Sequence, residues 1–410
     1  MTTSAPFEAD GLLAELVATT EGRADPYPRY ARLRALAPVH RSSFGFWALS
    51  RYDDCQRLLR HPGSGKDFSG VANTLGLSEE QWARQSRFRD DTSSMLTSDP
   101  PDHTRLRGLV TRVFTPRAVE ALRPRIVALV DDLLDGLGEG EVEVMGTLAF
   151  PLPVTVIGEM LGVPAADRAG LRPLVRAVTA VLELAPTPDA LDEAVAADNR
   201  MREYFADLVA RRRREPADDM LTQLVEAEDR GDQLSEDELI STAILLFAAG
   251  FETTTHLIGN GLLALLRHPD QLGRLRSDRS LLRTAVEELL RYDSPVQIAA
   301  RTIYEDLVLD GHRIEPGNVV VALLGAANRD ATRFDDPDRF DIGRADGAPL
   351  SFGGGIHFCL GAALARLEGQ IVLDRLLDRF TSMELVDEDV VYRDSLTLRG
   401  LTELRMRVAA

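Results

Sequence analysis

Apolar residues recur three and four apart along most of the chain, the spacing that gathers them onto one side of an α-helix. This pattern predicts helices over roughly 52–60, 102–113, 116–137, 146–162, 167–183, 189–213 and 218–227. The clearest element runs from about Ser235 to Arg267. Ser235-x-x-Glu238 forms a capping box at its start, and His268-Pro269 closes its far end. Ile240, Ala243, Ile244, Phe247 and Ala248 leave its middle almost free of charge, so it is expected to cross the core. At 1.5 Å per residue it would be on the order of 48 Å long. Further helices are expected at roughly 280–292 and 360–379. Period-two alternation predicts strands in Pro38–Ser50 around Gly45, in Ile298–Ile314, in Val319–Leu324 and after the last helix. Residues 62–98 carry weak periodicity and many Ser, Gly and Asp, as a binding loop or lid would. The expected fold is mainly α with small β-sheets, in a single domain over 1–410.

Composition sharpens this picture. A chain of 410 residues with 44% hydrophobic side chains can bury a large core. It has 47 basic residues against 65 acidic ones, a net charge of −18, which argues against nucleic acid as a partner. Lys66 is the only lysine, so nearly every cation is a guanidinium suited to carboxylates. Two cysteines, Cys55 and Cys359, make no disulfide framework and suit a reducing compartment. The uncharged apolar run Leu239–Phe251 is shorter than the ~20 residues that span a bilayer. The N-terminus shows no secretory pattern. A cytoplasmic protein without a membrane anchor is expected.

Three constellations carry candidate chemistry. Ser351-Phe352-Gly353-Gly354-Gly355-Ile356-His357-Phe358-Cys359-Leu360-Gly361 leads into the final helix. Its glycines allow a tight turn and a close approach. Cys359 stands at a helix start, where free N–H groups and the macrodipole favour a thiolate. A lone cysteine is more often a small buried apolar residue. Here the glycine run argues otherwise, and the lack of a C-x-x-C pair argues against zinc or an iron–sulfur cluster. The second constellation is Ala249-Gly250-Phe251-Glu252-Thr253-Thr254, inside the long helix. A helical glycine costs about 1 kcal/mol relative to alanine and so needs a reason. The Thr253 hydroxyl can return to the Ala249 carbonyl and loosen the helix. An opening at Gly250 could then hold a small molecule beside an acid and an alcohol able to relay protons. The alternative is a packing glycine next to a solvent-facing Glu252. The third is Glu288-Leu289-Leu290-Arg291, whose two charges share one helical face.

The pattern Phe352-x-x-Gly355-x-x-x-Cys359-x-Gly361 resembles the haem-binding loop of the cytochrome P450 family, and the resemblance runs from Asp25-Pro26-Tyr27 to Ser395–Gly400. It implies haem b with Cys359 as the axial thiolate and Phe352 beside its sulfur, within the turn shaped by Gly355 and Gly361. It implies Ala249 and Gly250 along the haem, and Glu252 with Thr253 as the proton-delivering pair. His103, Arg107, Arg301 and His357 match positions that bind haem propionates. Glu288, Arg291 and Arg339 (in Asp336-Pro337-Asp338-Arg339-Phe340) match a buried structural charge set.

The implied activity is insertion of one atom of O2 into a lipophilic small molecule by a monomeric enzyme. Electrons would come from a ferredoxin and its reductase, since no flavin or nicotinamide fingerprint is present. Arg105, Arg112 and Arg366 are the expected cations for that partner. The expected substrate pocket uses loop 62–98, the 163–190 region, Leu245, Ala248, Val296, Ile298, Thr397 and Leu398. Alternatives are a peroxide-dependent peroxygenase, a haem sensor and a cysteine hydrolase using Cys359, for which no oxyanion-hole pattern is evident. His256 is expected to pack against a neighbouring helix, and Cys55 to be a plain buried thiol.

Overall fold

The computed structural model describes residues 5–68, 94–112, 114–229, 234–345 and 347–410. Most of the expected loop 62–98 therefore lies outside the described residues. The chain folds into two compact units. One is built from the described residues of 1–64, 119–152 and 253–410, the other from those of 65–118 and 153–252.

In the first unit, Tyr52–Arg60 is helical over the expected range and buries Tyr52, Cys55, Leu58 and Leu59 on one side. Three short helices precede it, Ala5–Ala18, Thr20–Ala24 and Tyr27–Leu36, where the apolar pattern alone did not single them out. Val39–Arg41 pairs antiparallel with Phe46–Leu49. That strand runs parallel to Val319–Leu323, which pairs antiparallel with Ile298–Ile303. The strands Phe46–Leu49 and Val319–Leu323 are buried at every position, which explains their unbroken apolar runs. A second sheet joins Arg405–Ala409 to Gly140–Glu143 and Ser382–Leu385. The final helix, Ala362–Arg379, packs against Arg123–Leu137 and Leu282–Tyr292. Pro269–Ser277, which follows the His268-Pro269 stop, is a further helix that the pattern missed.

In the second unit, Asp102–Thr111 and Ala165–Thr179 lie close to their expected ranges, and the latter packs against Pro188–Arg214. The helix Glu236–Arg267 runs from this unit into the first. Its expected capping box is present: the Glu238 N–H donates to Ser235 Oγ at 3.3 Å, and the Ser235 N–H to the Glu238 carboxylate at 2.9 Å. Two expected helices are interrupted by proline. Pro116–Ala121 is separated from Arg123–Leu137, which has Pro124 in its first turn. A π-type turn, Met145–Ala149, precedes the helix that begins at Pro151. No single helix among the described residues is long and apolar enough to cross a membrane.

The buried charge set differs from the expected one. Arg291 is 1% exposed and forks onto Glu288 at 2.7 and 2.8 Å. Its remaining N–H groups donate to the carbonyls of Asn328, Pro337 and Arg339. The third charge on Glu288 is Arg344, 3.2 Å away and nearly buried. The Arg339 guanidinium instead turns outward to Asp336 and Asp341, and only its carbonyl joins the set. Motif position placed this stretch correctly but could not say which arginine turns inward. A buried acid, Glu368, lies on the final helix at 1% exposure, and burial pushes its carboxyl up from 4.5 to about 8.

Two outcomes follow for urea and thermal unfolding of the holoprotein. Glu288→Ala strands a buried guanidinium and is expected to cost about 3–5 kcal/mol. Arg339→Ala, on the surface, should stay within about 0.5 kcal/mol; equal losses would place the charge set on Arg339 after all. For Glu368, the folded state keeps a proton that the unfolded state has lost between pH 4.5 and about 8. Stability therefore declines as pH rises through that window. Glu368→Gln should flatten the decline, giving a larger gain in Tm at pH 8 than at pH 5.

Candidate active site

The cysteine turn is built against the helix Tyr52–Arg60. Gly353 and Gly355 take φ of 69° and 66°, a region that side-chain-bearing residues rarely adopt. A Cβ on Gly355 would sit 2.2 Å from the Leu59 carbonyl oxygen, so the backbone could not lie where it does. A short helical turn, Gly355–His357, follows. The Cys359 N–H donates to the Phe352 carbonyl at 2.9 Å, closing the loop on itself. Gly361 precedes the helix Ala362–Arg379, so Cys359 stands just before its N-terminus. The base of the turn is pinned from below. Asn328 accepts the Leu350 N–H at 2.7 Å and donates to Ser351 Oγ at 2.9 Å, and Ser351 donates to the Leu290 carbonyl at 2.6 Å. Phe352 packs edge-on to Phe358, with the Arg366 guanidinium 4.4 Å over its ring.

The two cysteines have opposite settings. Cys359 is exposed, whereas Cys55 is wholly buried and bonds to the Leu49 carbonyl, and burial pushes its thiol well up. Cys55 is thus the plain core thiol expected. In the same unit, Arg301 lies at 4% exposure on the strand Ile298–Ile303 and donates to the Ala300 carbonyl at 2.9 Å, while His357 is half-buried. The expected pocket residues Val296 and Leu398 face each other in a β-bridge. The Gln297 N–H donates to the Thr397 carbonyl at 3.0 Å, so these two segments form one wall. His256 is buried at 1% exposure. It meets Gly400 and accepts a hydrogen bond from Arg393 at 2.9 Å, in the loop behind that wall.

In the other unit, His103 (2% exposed) and the half-buried Arg107 lie one turn apart on Asp102–Thr111, on one side of that helix. Along the central helix, Glu252 is buried at 1% exposure; the neighbouring Thr253 is half-buried. Ala249 is exposed and Leu245 half-buried, whereas Ala248, also expected in the pocket, is buried. The expected opening at Gly250 is closed: a Cβ there would meet Ile157 Cγ1 at 2.6 Å. Gly250 therefore serves close helix packing, and the positions left exposed or half-buried are Leu245, Ala249 and Thr253, spaced four apart. The alternative of a solvent-facing Glu252 is also excluded by its burial. Arg176, from Ala165–Thr179, reaches to 3.8 Å from the Glu252 carboxylate. No sequence signal marked Arg176, because the pair joins residues 76 positions apart.

The expected redox-partner cations are partly spent. Arg105 bonds to Glu238 and Asp102, which hold its guanidinium firmly charged. Arg366 is paired with Glu287. Arg112 remains exposed, and so does Arg60, whose backbone touches the cysteine turn at Gly355.

The residues fit a haem. An accessible thiol is presented on an obligate glycine turn, and in the same unit the buried Arg301 and the half-buried His357 carry groups suited to carboxylates. The comparisons with known proteins agree. A sequence profile of the Cytochrome P450 family matches residues 182–402. The chain is 46% identical over 395 residues to Cytochrome P450 107B1 of Saccharopolyspora erythraea, covering 94% of this chain and 96% of the relative. It is 43% identical to the Vitamin D(3) 25-hydroxylase of Pseudonocardia autotrophica, with 93% of each covered. The crystal structure of Mycobacterium smegmatis CYP164A2 in its ligand-free state superposes with a TM-score of 0.89 at 41% identity, covering 97% of this chain and 100% of that one. Identity at this level along nearly the whole of each chain leaves one assignment. The chain belongs to the cytochrome P450 family of haem-thiolate oxidoreductases, and of its two cysteines only Cys359 is accessible to be the axial ligand.

Proposed function

We propose that this P450 monooxygenase oxidises a lipophilic small molecule with electrons from a separate ferredoxin and reductase. The observation that carries the reading is the pair at the middle of the central helix, a wholly buried Glu252 followed by a half-buried Thr253. When bound, the haem activates O2, and its thiolate ligand favours O–O cleavage. This chain's own residues hold and deliver the protons. Glu252 supplies the titratable carboxyl, and the Thr253 hydroxyl both donates and accepts. Arg176 is partly exposed and so connects the buried acid to the solvent side. His103, Arg107, Arg301 and His357 supply the cationic and N–H groups for the haem carboxylates.

A lipophilic substrate is supported by the candidate wall, in which Leu245, Val296, Ile298 and Leu398 are aliphatic and Thr397 adds a hydroxyl. One relative is named for hydroxylating vitamin D(3). An external electron source is supported by the mainly helical architecture with small sheets, in which the described residues form no nicotinamide or flavin fold. Arg60 and Arg112, both exposed, are the candidates for meeting an acidic carrier. The apolar Ile356, 48% exposed, lies on the same cysteine turn that Arg60 touches.

Two experiments test this reading. With a [2Fe–2S] ferredoxin and its reductase, Thr253→Ala is expected to cut product formation on the order of 10²-fold. Reduced nicotinamide consumption should continue and hydrogen peroxide should appear. If peroxide instead sustains wild-type turnover as well as the ferredoxin does, the peroxygenase alternative is correct. Arg60→Glu and Arg112→Glu should each raise the KM for ferredoxin about fivefold at low salt, with the effect fading as ionic strength rises. Salt-independent, unchanged kinetics would remove these arginines from the interface.

A further inference from the structure

The turn that carries Thr397 and Leu398 is anchored by polar groups that the oxygen chemistry leaves unused. Arg393 donates from Nη1 to His256 Nε2 at 2.9 Å. A guanidinium has only donors, so His256 must accept through an unprotonated Nε2 and be the neutral imidazole with its proton on Nδ1. The ring fits because residue 400 is glycine: a Cβ there would lie 1.8 Å from His256 Nδ1. One turn further along the same helix, Asn260 Nδ2 donates to the Arg399 carbonyl at 3.1 Å. Arg399 is held in addition by Asp293 at 2.6 Å.

Both ends of the turn thus rest on the central helix. Its interior is closed by the Arg393 N–H on the Gly400 carbonyl at 2.8 Å and the Leu398 N–H on Ser395 Oγ at 3.0 Å. Its tip is locked to the facing segment through Arg399 N–H to Pro295 O at 2.9 Å and Gln297 N–H to Thr397 O at 3.0 Å. Shifting Arg393 would therefore carry Thr397 and Leu398 with it, because the hydrogen bonds leave little slack between them.

We infer that His256 is a specificity-determining positioning residue. By accepting the Arg393 guanidinium it sets where Thr397 and Leu398 stand, and so which bulky molecules the substrate wall admits. It does so from the rear of the wall, without touching the substrate. The inference rests on the reading of Thr397 and Leu398 as substrate-facing.

The test uses the holoenzyme and two nitrogen ligands read by the Soret shift: imidazole, too small to reach the wall, and econazole, large enough to press on it. His256→Leu removes the acceptor, His256→Gln keeps one, and Arg393→Leu removes the donor. The expected result is econazole binding weakened about tenfold in His256→Leu and Arg393→Leu. Imidazole binding should be unchanged, and affinity should be largely restored in His256→Gln. The double variant His256→Leu/Arg393→Leu should be no weaker than either single one. Econazole binding unchanged in both single variants, or imidazole and econazole weakened alike, would overturn the inference. If His256→Leu does not take up haem, Arg393→Leu carries the same comparison. A wild-type reduced carbon monoxide spectrum without the thiolate band would fail the haem-thiolate reading instead, which keeps the two failures apart.

Discussion

A guanidinium sealed from water decides how the cysteine turn is held. Arg291 directs its five N–H donors to Glu288 and to three backbone carbonyls. A buried cation left short of partners is severely destabilising, so the chain on either side must come to it. Asn328 offers its carbonyl to Arg291 and its side chain to Leu350 and Ser351, and Ser351 reaches back to Leu290 on the same helix as Arg291. A closed circuit results: charge pair, Asn328, Ser351, helix. The turn bearing Cys359 begins at its edge. The charge set does no chemistry, yet the base of the cysteine turn is tied to it.

The glycines near the chemistry serve different ends. Gly355 is required by its positive φ and by the Leu59 carbonyl against which it lies. Gly250 lets Ile157 settle onto the central helix, and Gly400 leaves room for the His256 ring. All three read identically as letters, as a missing side chain at a functional motif. Only the identity of the atom occupying each gap separates a turn former from a packing contact or an anchor point. The same holds for the arginines, since Arg60 is exposed whereas Arg105, Arg366 and Arg344 pair with carboxylates of the protein.

The acid of the central helix shows how packing changes the meaning of a motif. Glu252 beside Thr253 could have been a surface glutamate. Burial at 1% exposure, with Arg176 approaching from another helix, makes it an interior carboxyl instead. Leu245, Ala249 and Thr253, spaced four apart, stay exposed or half-buried on a helix whose residues are otherwise mostly buried. Which residues of one helix remain uncovered is set by its neighbours.

By itself, the amino-acid order determined the long central helix with its capping box, the helix that follows the cysteine, the strand pairs around Gly45 and Val319–Leu323, and the cysteine turn. Each of these rests on local physics: apolar periodicity, side-chain caps, proline stops and glycine dihedrals act within a few residues. The order also carried Glu288 with Arg291 and Glu252 with Thr253, because these are near neighbours on one helix. Tertiary structure alone decided that Arg344 rather than Arg339 completes the buried charge set, that Ile157 fills the space at Gly250, that Arg176 reaches Glu252, and that His256 supports the turn at 393–400. These contacts join residues tens to more than a hundred positions apart. Their partners are chosen by which side chains the packed helices bring within hydrogen-bonding or van der Waals reach, and no local spacing rule records that choice.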